Sequence, residues 1–218
     1  MDFRAVVVAR GRCGPVDPLT PVRGVSMVAR AVRCLLAGLS GAGGTDRVVL
    51  LAPADQHAGL IRACAGLPVE ARESLSSWAH TGQRPGDPGG FAPAPVLLVH
   101  DALRPLAPPA LAARVVAELL DTGCAAVVPV LPLTDTVKLV DADDLVTATP
   151  DRAGLRVLQT PLAVRSELVD PGADPIAAVL ELAAGHPVRG VAGDPVAFPV
   201  HTAWDLELAE LVAAEEDR

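Results

Sequence analysis

Short runs of apolar, mostly β-branched residues alternate along the chain with longer segments of helical periodicity. The first runs lie at 5–9, 47–52, 67–71, 96–100 and 125–130. Strands that alternate with helices are typical of crossover units, in which the strands form a mostly parallel sheet and helices cover both faces. The pattern therefore predicts an α/β fold.

Capping residues predict where two of the helices begin and end. Ser26 is an expected N-cap for a helix that runs through Leu39. Pro109 stands where a second helix begins, and Gly123 stands where that helix ends. Further segments are predicted as helices near 160–168, 174–184 and 202–214 and as short strands at 188–191 and 196–200. In the last helix, Leu206, Leu208 and Leu211 are the apolar positions and acidic residues lie outside.

Two segments interrupt this pattern. Residues 72–95 are rich in Ser, Gly, Pro and His, and we expect a long loop there. Residues 133–158 are polar and irregular and indicate an excursion from the main body. A chain of 218 residues is otherwise consistent with one domain over 1–218.

Composition excludes several classes of partner. The 18 basic and 26 acidic residues give a net charge of −8, which disfavours nucleic acid. The sequence has no signal peptide and no run long enough to span a membrane. Its four cysteines are too widely spaced for a zinc motif, and the chain is much longer than small disulfide-rich domains. We therefore expect a reducing compartment and a cytoplasmic protein. Lys138 is the one lysine of the chain.

Candidate chemistry lies in two loops that follow buried strands, where ligands of open parallel sheets bind. The first loop contains Gly11, Arg12 and Gly14, which suits the approach of a phosphate to the backbone. A plain turn is the alternative for this loop. In the second loop Asp101 emerges from a strand and Arg104 follows, an arrangement that can hold Mg²⁺ against a phosphate. The alternative is a turn in which Asp101 pairs with Arg104.

Three motifs resemble those of one enzyme family. Residues 99–105 read VHDALRP, close to the family's VHDAARP, and residues 135–138 match its DTVK. Residues 149–155 read TPDRAGL and residues 159–161 read QTP, similar to the family's T-x-[DE]-R-x-x-L and QTPQ. In this order and spacing, over residues 96–161, they resemble the 2-C-methyl-D-erythritol 4-phosphate cytidylyltransferases of non-mevalonate isoprenoid synthesis.

The resemblance implies a Rossmann-like nucleotidyltransferase fold in a homodimer, in which residues 133–158 form a protruding β-arm that reaches the partner subunit. It implies that Asp101 binds Mg²⁺ or substrate and that Arg104 supports this site. It also implies that Thr136 and Arg152 hold the methylerythritol phosphate, Arg152 from the partner's arm, and that Thr160 is a further site position.

Both lysines that the family uses to neutralise the nucleotide are replaced. The family's Pro-Lys pair corresponds to Val16-Asp17, and the lysine of its N-x-K-[IV]-T strand corresponds to Pro199. We therefore expect a family member with weak or no cytidylyl transfer that binds a ligand or partner. The alternatives are a working enzyme that takes CTP and a polyol or sugar phosphate with Mg²⁺, and a non-enzymatic scaffold. In the working enzyme Arg10, Arg12 or Arg23 would replace the lysines.

Overall fold

A computed structural model of the chain describes residues 3–10, 16–45, 47–76 and 96–216. The strands are β1 (Phe3–Val8), β2 (Pro21–Val22), β3 (Val25–Ser26), β4 (Val48–Leu51), β5 (Val69–Arg72), β6 (Val96–Asp101), β7 (Ala126–Pro132), β8 (Leu139–Val140), β9 (Val146–Ala148), β10 (Arg156–Leu158), β11 (Leu162–Arg165) and β12 (Val188–Ala192). The helices are α1 (Met27–Leu39), α2 (His57–Ala63), α3 (Pro109–Thr122), α4 (Pro175–Leu182) and α5 (Ala203–Glu216).

Eight strands form one sheet in the order β10-β7-β11-β6-β1-β4-β5, and β12 pairs with β7. The strands β4, β5 and β6 run parallel to β1, as β12 does to β7, whereas β10 and β11 are antiparallel to their neighbours. Side chains that alternate along β6 enter two separate cores: Leu98 packs among residues of α1 and α3, and Val99 packs in the cluster that contains Val179 of α4. The α/β fold with helices on both faces is thus confirmed.

Local chemistry explains where the helices begin and end. The Ser26 hydroxyl accepts a hydrogen bond from the Ala29 N–H, as an N-cap does. The helix α3 ends at Gly123, whose φ of 67° is a left-handed conformation that glycine adopts without strain. The carboxylate of Asp174 caps α4 by accepting from the N–H groups of Ile176 and Ala177.

Two predicted elements are wrong. The helix expected near 160–168 is the strand β11 followed by a short 3₁₀ turn, because its buried residues Leu162–Val164 lie between β6 and β7 and need ladder hydrogen bonds. The strand expected at 196–200 is irregular chain, and Pro199 has no N–H to give a ladder. This segment is held instead by the Val200 N–H, which donates to the Leu103 carbonyl at 2.8 Å.

The polar excursion forms its own small structure. The strands β8 and β9 pair only with each other, and β10 returns the chain to the main sheet. Of residues 133–158, all of which the structure describes, none is buried. Most of the loop expected at 72–95 lies outside the described residues, as do Gly11, Arg12 and Gly14 of the predicted nucleotide loop.

Candidate functional site

Asp101 is the last residue of β6, next to the carboxyl end of β1. One carboxylate oxygen accepts a hydrogen bond from the Leu103 N–H at 2.9 Å, which closes the turn after the strand. The Arg104 N–H donates to the Asp101 carbonyl in the same turn. Asp101 therefore presents its remaining carboxylate oxygen at the edge of the sheet, as expected for a strand-end ligand.

Arg104 connects this turn to two distant segments. Its guanidinium donates to the Ala197 carbonyl at 2.6 Å and to the Leu158 carbonyl at 3.1 Å. Within the described part of the chain, no ion pair joins Arg104 to Asp101. The alternative, in which the Arg104 guanidinium pairs with the Asp101 carboxylate, is therefore wrong. The guanidinium instead connects the turn to the segments that contain Leu158 and Ala197.

Thr160 is buried directly beside Asp101. Its hydroxyl accepts a hydrogen bond from the Asp101 N–H at 3.0 Å and shares another with His100 Nδ1 at 2.8 Å. His100 is fully buried, and its Nε2 lies near the Arg104 backbone as the one buried side-chain polar atom without a hydrogen bond among the described residues. Burial, with Arg104 nearby, lowers the pKa of His100 to about 3, so the ring is neutral at physiological pH.

Gln159 connects the site to the segment after β12. Its amide nitrogen donates to the carbonyls of Asp194 and Ala197, and its amide oxygen accepts from the Asp194 N–H. The side chain reaches this segment because Gly193 lies against it: a Cβ at Gly193 would collide with Gln159 Oε1. Gln159 and Arg104 thus both fix Ala197, two residues before Pro199.

These residues surround a cavity of about 90 Å³. Its polar lining comprises Asp101, Arg104, Gln159 and Thr160, and its apolar lining comprises Val128, Leu158, Leu162, Ile176 and Leu180. Burial raises the pKa of Asp101, while the Leu103 N–H and the charges of Arg104 and His201 act in the opposite direction. The structure therefore brings together three of the predicted site residues, Asp101, Arg104 and Thr160.

The side chains of the site suit Mg²⁺ with Asp101 as its one protein ligand. No group of three or more His, Cys, Asp or Glu side chains in the described ranges is arranged to hold a metal ion. Mg²⁺ is commonly bound by one or two carboxylates together with the phosphates of a substrate. The carboxylate oxygen of Asp101 that Leu103 does not use suits that arrangement.

Comparison with known proteins agrees with this geometry. The family model described as IspD: 2-C-methyl-D-erythritol 4-phosphate cytidylyltransferase matches residues 92–215. The protein of that name from Nocardia farcinica is 42% identical over 94% of this chain and 91% of its own length. Its counterpart from Rhodococcus opacus is 40% identical over 88% and 84%. The chain belongs to the 2-C-methyl-D-erythritol 4-phosphate cytidylyltransferase family.

Solved structures that carry related names share the fold. A 4-diphosphocytidyl-2C-methyl-D-erythritol synthase from Anaerococcus prevotii superposes with a TM-score of 0.71 at 19% identity and covers 98% of each chain. The 2-C-methyl-D-erythritol 4-phosphate cytidylyltransferase from Thermus thermophilus gives 0.67 at 24% identity, with 98% of this chain and 100% of that chain covered. The Rossmann-like nucleotidyltransferase fold is thus confirmed. No helix of the described residues is long and apolar enough to cross a membrane.

Asp17 and Pro199, which the resemblance pairs with the family's two lysines, are each adjacent to a residue that packs with Leu103 of the Asp101–Arg104 turn. Val16, which precedes Asp17, and Val200, which follows Pro199, pack in one buried cluster with Leu103. The Asp17 carboxylate accepts hydrogen bonds from the Leu19 and Thr20 N–H groups and from the Thr20 hydroxyl. Asp17 is thus part of its own turn.

The arm carries the remaining predicted residues. Thr136 and Arg152 do not line the cavity of their own chain, and the Arg152 guanidinium donates to the Thr134 carbonyl. Lys138, also on the arm, donates to the Thr149 hydroxyl at 2.7 Å. The structure of the single chain therefore separates the arm residues from Asp101, Arg104 and Thr160.

Sequence reasoning misses the part played by His100 and by Gln159. His100 stands inside the VHDALRP motif, but its partner Thr160 is 60 positions away in the chain. Gln159 precedes Thr160 in the QTP motif, and its partner Asp194 is 35 positions away. The motifs contain both residues, whereas their contacts depend on the packing of β6, β7 and β11.

Proposed function

We propose that this family member retains the part of the site that receives the polyol phosphate and transfers cytidylyl groups slowly or not at all. The observation that carries the proposal is the placement of positive charge. The one lysine, Lys138, is on the arm, while Asp17 and Pro199 stand at the two positions that the resemblance pairs with the family's lysines.

The chemistry explains why these two positions matter. Cytidylyl transfer is an in-line displacement at the α-phosphorus of CTP in which pyrophosphate leaves, so catalysis depends on positive groups that stabilise the developing charge. Removal of one such donor typically costs about 10²- to 10³-fold in rate. The resemblance implies that both such groups are replaced here, one of them by the negatively charged Asp17. Mg²⁺ bound to the phosphates and Asp101 would neutralise part of that charge.

The described arginines near this region have other contacts. The Arg10 guanidinium donates to the Glu73 carbonyl at 2.6 Å, and Arg30 Nε donates to the Val22 carbonyl. Arg23 occupies a tight turn with φ of 51°, and its N–H donates to Glu210. Arg12 lies outside the described residues. The Arg23 contact involves only its backbone, so it is the guanidinium contacts of Arg10 and Arg30 that support a loss of cationic groups that face a triphosphate.

A second candidate function is a working cytidylyltransferase in which arginines replace the lysines. The observation that favours it is the 42% identity, over 94% of the chain, to the Nocardia farcinica protein that bears this enzyme's name. In that case Arg10, Arg12 or Arg23 would contact CTP in place of the lysines.

The polyol phosphate half of the site has more support. Asp101, Arg104 and Thr160 already line one cavity, and Thr136 and Arg152 lie exposed on the arm. We propose a homodimer in which the partner's arm brings Thr136 and Arg152 over this cavity. Cys34, Cys64 and Cys124 are free buried thiols, which supports a reducing, cytoplasmic location.

Release of pyrophosphate from CTP and 2-C-methyl-D-erythritol 4-phosphate, with Mg²⁺ present, tests the proposal. We expect turnover far below the ordinary range of enzymes; a value of about 1 s⁻¹ or more would end it. The variants Pro199→Lys and Asp17→Lys/Pro199→Lys should raise the rate, whereas the matched control Pro199→Ala should not.

Ligand-induced stabilisation separates the two candidates further, because a ligand that binds only the folded state raises its melting temperature. We expect 2-C-methyl-D-erythritol 4-phosphate to raise the melting temperature and CTP with Mg²⁺ at millimolar concentration to leave it unchanged. A shift with CTP that disappears in Arg10→Gln or Arg12→Gln would instead favour the working enzyme.

A further inference from the structure

The C-terminal helix α5 is apolar on two opposite faces. Its inner face packs Ala209, Ala213 and the half-buried Leu206 into the cluster that contains Leu103 and Val200. On the outer face Trp204, Leu208 and Leu211 are 75%, 43% and 68% exposed. A surface helix normally has one apolar stripe, directed at its own core. Nothing in residues 3–10, 16–45, 47–76 and 96–216 therefore explains the outer face of α5.

The three exposed side chains form a continuous line. They are spaced at i, i+4 and i+7, which places them on one side of the helix over two turns. This spacing is the one by which an amphipathic helix contacts another helix. Tryptophan is also among the residues that most often contribute large binding energies in interfaces. The outer face of α5 thus has the form of a helix-binding surface.

The charge around this face is one-sided. The helix α5 contains five acidic residues and no Lys or Arg. Glu207 and Glu215 are exposed and border the line of Trp204, Leu208 and Leu211. A bound helix would therefore meet negative charge at the rim of its apolar contact, which favours Lys and Arg in the partner.

A second copy of this chain does not satisfy that requirement. Two α5 helices packed face to face would bring their own glutamates together. The exposed apolar residues of the arm, Leu139, Val140, Leu145 and Val146, have Asp141, Asp143 and Asp144 among them. Like charges disfavour the pairing of two α5 helices, and the net negative charge of residues 138–146, three Asp against Lys138, disfavours the pairing of the arm with α5.

We propose that the Trp204–Leu208–Leu211 face of α5 binds a basic amphipathic helix of another protein. The apolar side of that helix packs on the three exposed side chains, and its Lys or Arg residues pair with Glu207 and Glu215. This interaction is independent of cytidylyl transfer, since none of the five residues lines the cavity that contains Asp101.

Two synthetic 18-residue peptides test the proposal on the full chain: an amphipathic helix of Leu and Lys, and the same sequence with Glu in place of each Lys. Binding is measured by calorimetry and, in a Trp78→Phe background, by the fluorescence of Trp204. We expect the Lys peptide to bind, with a blue shift of Trp204 and an affinity that falls as salt increases. We expect the Glu peptide not to bind.

Two double variants test whether the Lys peptide binds to this face or is attracted only by the net charge of the protein. Leu208→Gln/Leu211→Gln should weaken binding of the Lys peptide about tenfold or more, and Glu207→Gln/Glu215→Gln should weaken it and reduce its salt dependence. The matched control Leu145→Gln/Val146→Gln, on the arm, should bind as the wild type does.

Three outcomes would overturn the proposal. One is no binding of the Lys peptide, and another is equal binding to the wild type and to Leu208→Gln/Leu211→Gln. The third is a change in oligomeric state of that variant in sedimentation, because the face would then belong to a contact between two copies of this chain. Circular dichroism of each variant establishes that it is folded before binding is compared.

Discussion

The hydroxyl of Thr160 accepts a hydrogen bond from the backbone N–H of Asp101 at 3.0 Å, although 59 positions separate the two residues in the chain. The same hydroxyl contacts His100 Nδ1. Two consecutive residues of β6 are thus fixed by one side chain from the short segment that leads into β11. The position of the Asp101 carboxylate depends on this contact between neighbouring strands.

Replacement of the Thr160 hydroxyl by a methyl group should destabilise the protein. In Thr160→Val the shape is nearly kept, but the Asp101 N–H and His100 Nδ1 lose their partner, which should cost about 1–3 kcal/mol. Urea unfolding followed by circular dichroism measures the difference. Thr122→Val is the matched control, because the exposed Thr122 hydroxyl contacts only its own helix and the adjacent Cys124, and we expect a change of less than about 0.5 kcal/mol. Equal losses in the two variants would contradict the role given to Thr160.

Gly193→Ala should loosen the wall of the site. The new Cβ would collide with Gln159 Oε1, so Gln159 must shift and release Asp194 and Ala197. Overpacking of this kind typically costs about 1–3 kcal/mol. Gly185→Ala, where no atom lies within 4 Å of the new Cβ, is the control and should leave the free energy of unfolding nearly unchanged. A neutral Gly193→Ala would show that the close contact is not required.

Stability should fall as the pH decreases from about 6.5 towards 3 because of His100. The pKa of this ring is about 3 in the folded protein and has an ordinary value of 6.5. Between these values the unfolded chain binds a proton that the folded chain does not, so acidification favours unfolding. The raised pKa of Asp101 acts in the opposite direction.

The difference between wild type and a variant isolates the histidine. The free energy of unfolding of His100→Asn should depend less on pH than that of the wild type over this range, whereas that of Thr122→Val, which removes no titratable group, should not differ in slope. Parallel curves for His100→Asn and the wild type would contradict the assignment.

The proposed homodimer predicts a role for the exposed apolar side chains of the arm. Leu145 and Val146 are each 63% exposed, and no residue of 133–158 is buried in the single chain. Leu145→Gln/Val146→Gln should therefore shift the chain from dimer to monomer in analytical ultracentrifugation, while its circular dichroism spectrum stays that of the folded chain. A dimer of unchanged affinity would place the contact elsewhere.

Local signals predict much of the fold. Ser26 marks the start of α1, and Pro109 and Gly123 mark the bounds of α3, because capping and left-handed conformations depend on adjacent residues. The position of Asp101 at the end of a strand is predictable for the same reason. The motif around it carries enough information to bring Arg104 and Thr160 into the candidate site.

Features that depend on distant neighbours are not predictable in this way. Periodicity does not distinguish a short buried strand from a helix, and only the position of β11 between β6 and β7 decides for Leu162–Val164. Periodicity also fails for α5, where the sequence predicts that its leucines are directed inward and its acidic residues outward. Leu208 and Leu211 are exposed, because the smaller Ala209 and Ala213 make the contact with the core.

The turn at Asp17 bears on how this chain diverged from its relatives. A lysine at this position would supply no acceptor for the Leu19 and Thr20 N–H groups, which Asp17 now satisfies. Reversion of this single residue would therefore weaken the turn before it restored any catalytic charge. Under the proposed function, a return to full activity would therefore require, besides lysine at this position, substitutions in residues 16–20 that keep the turn.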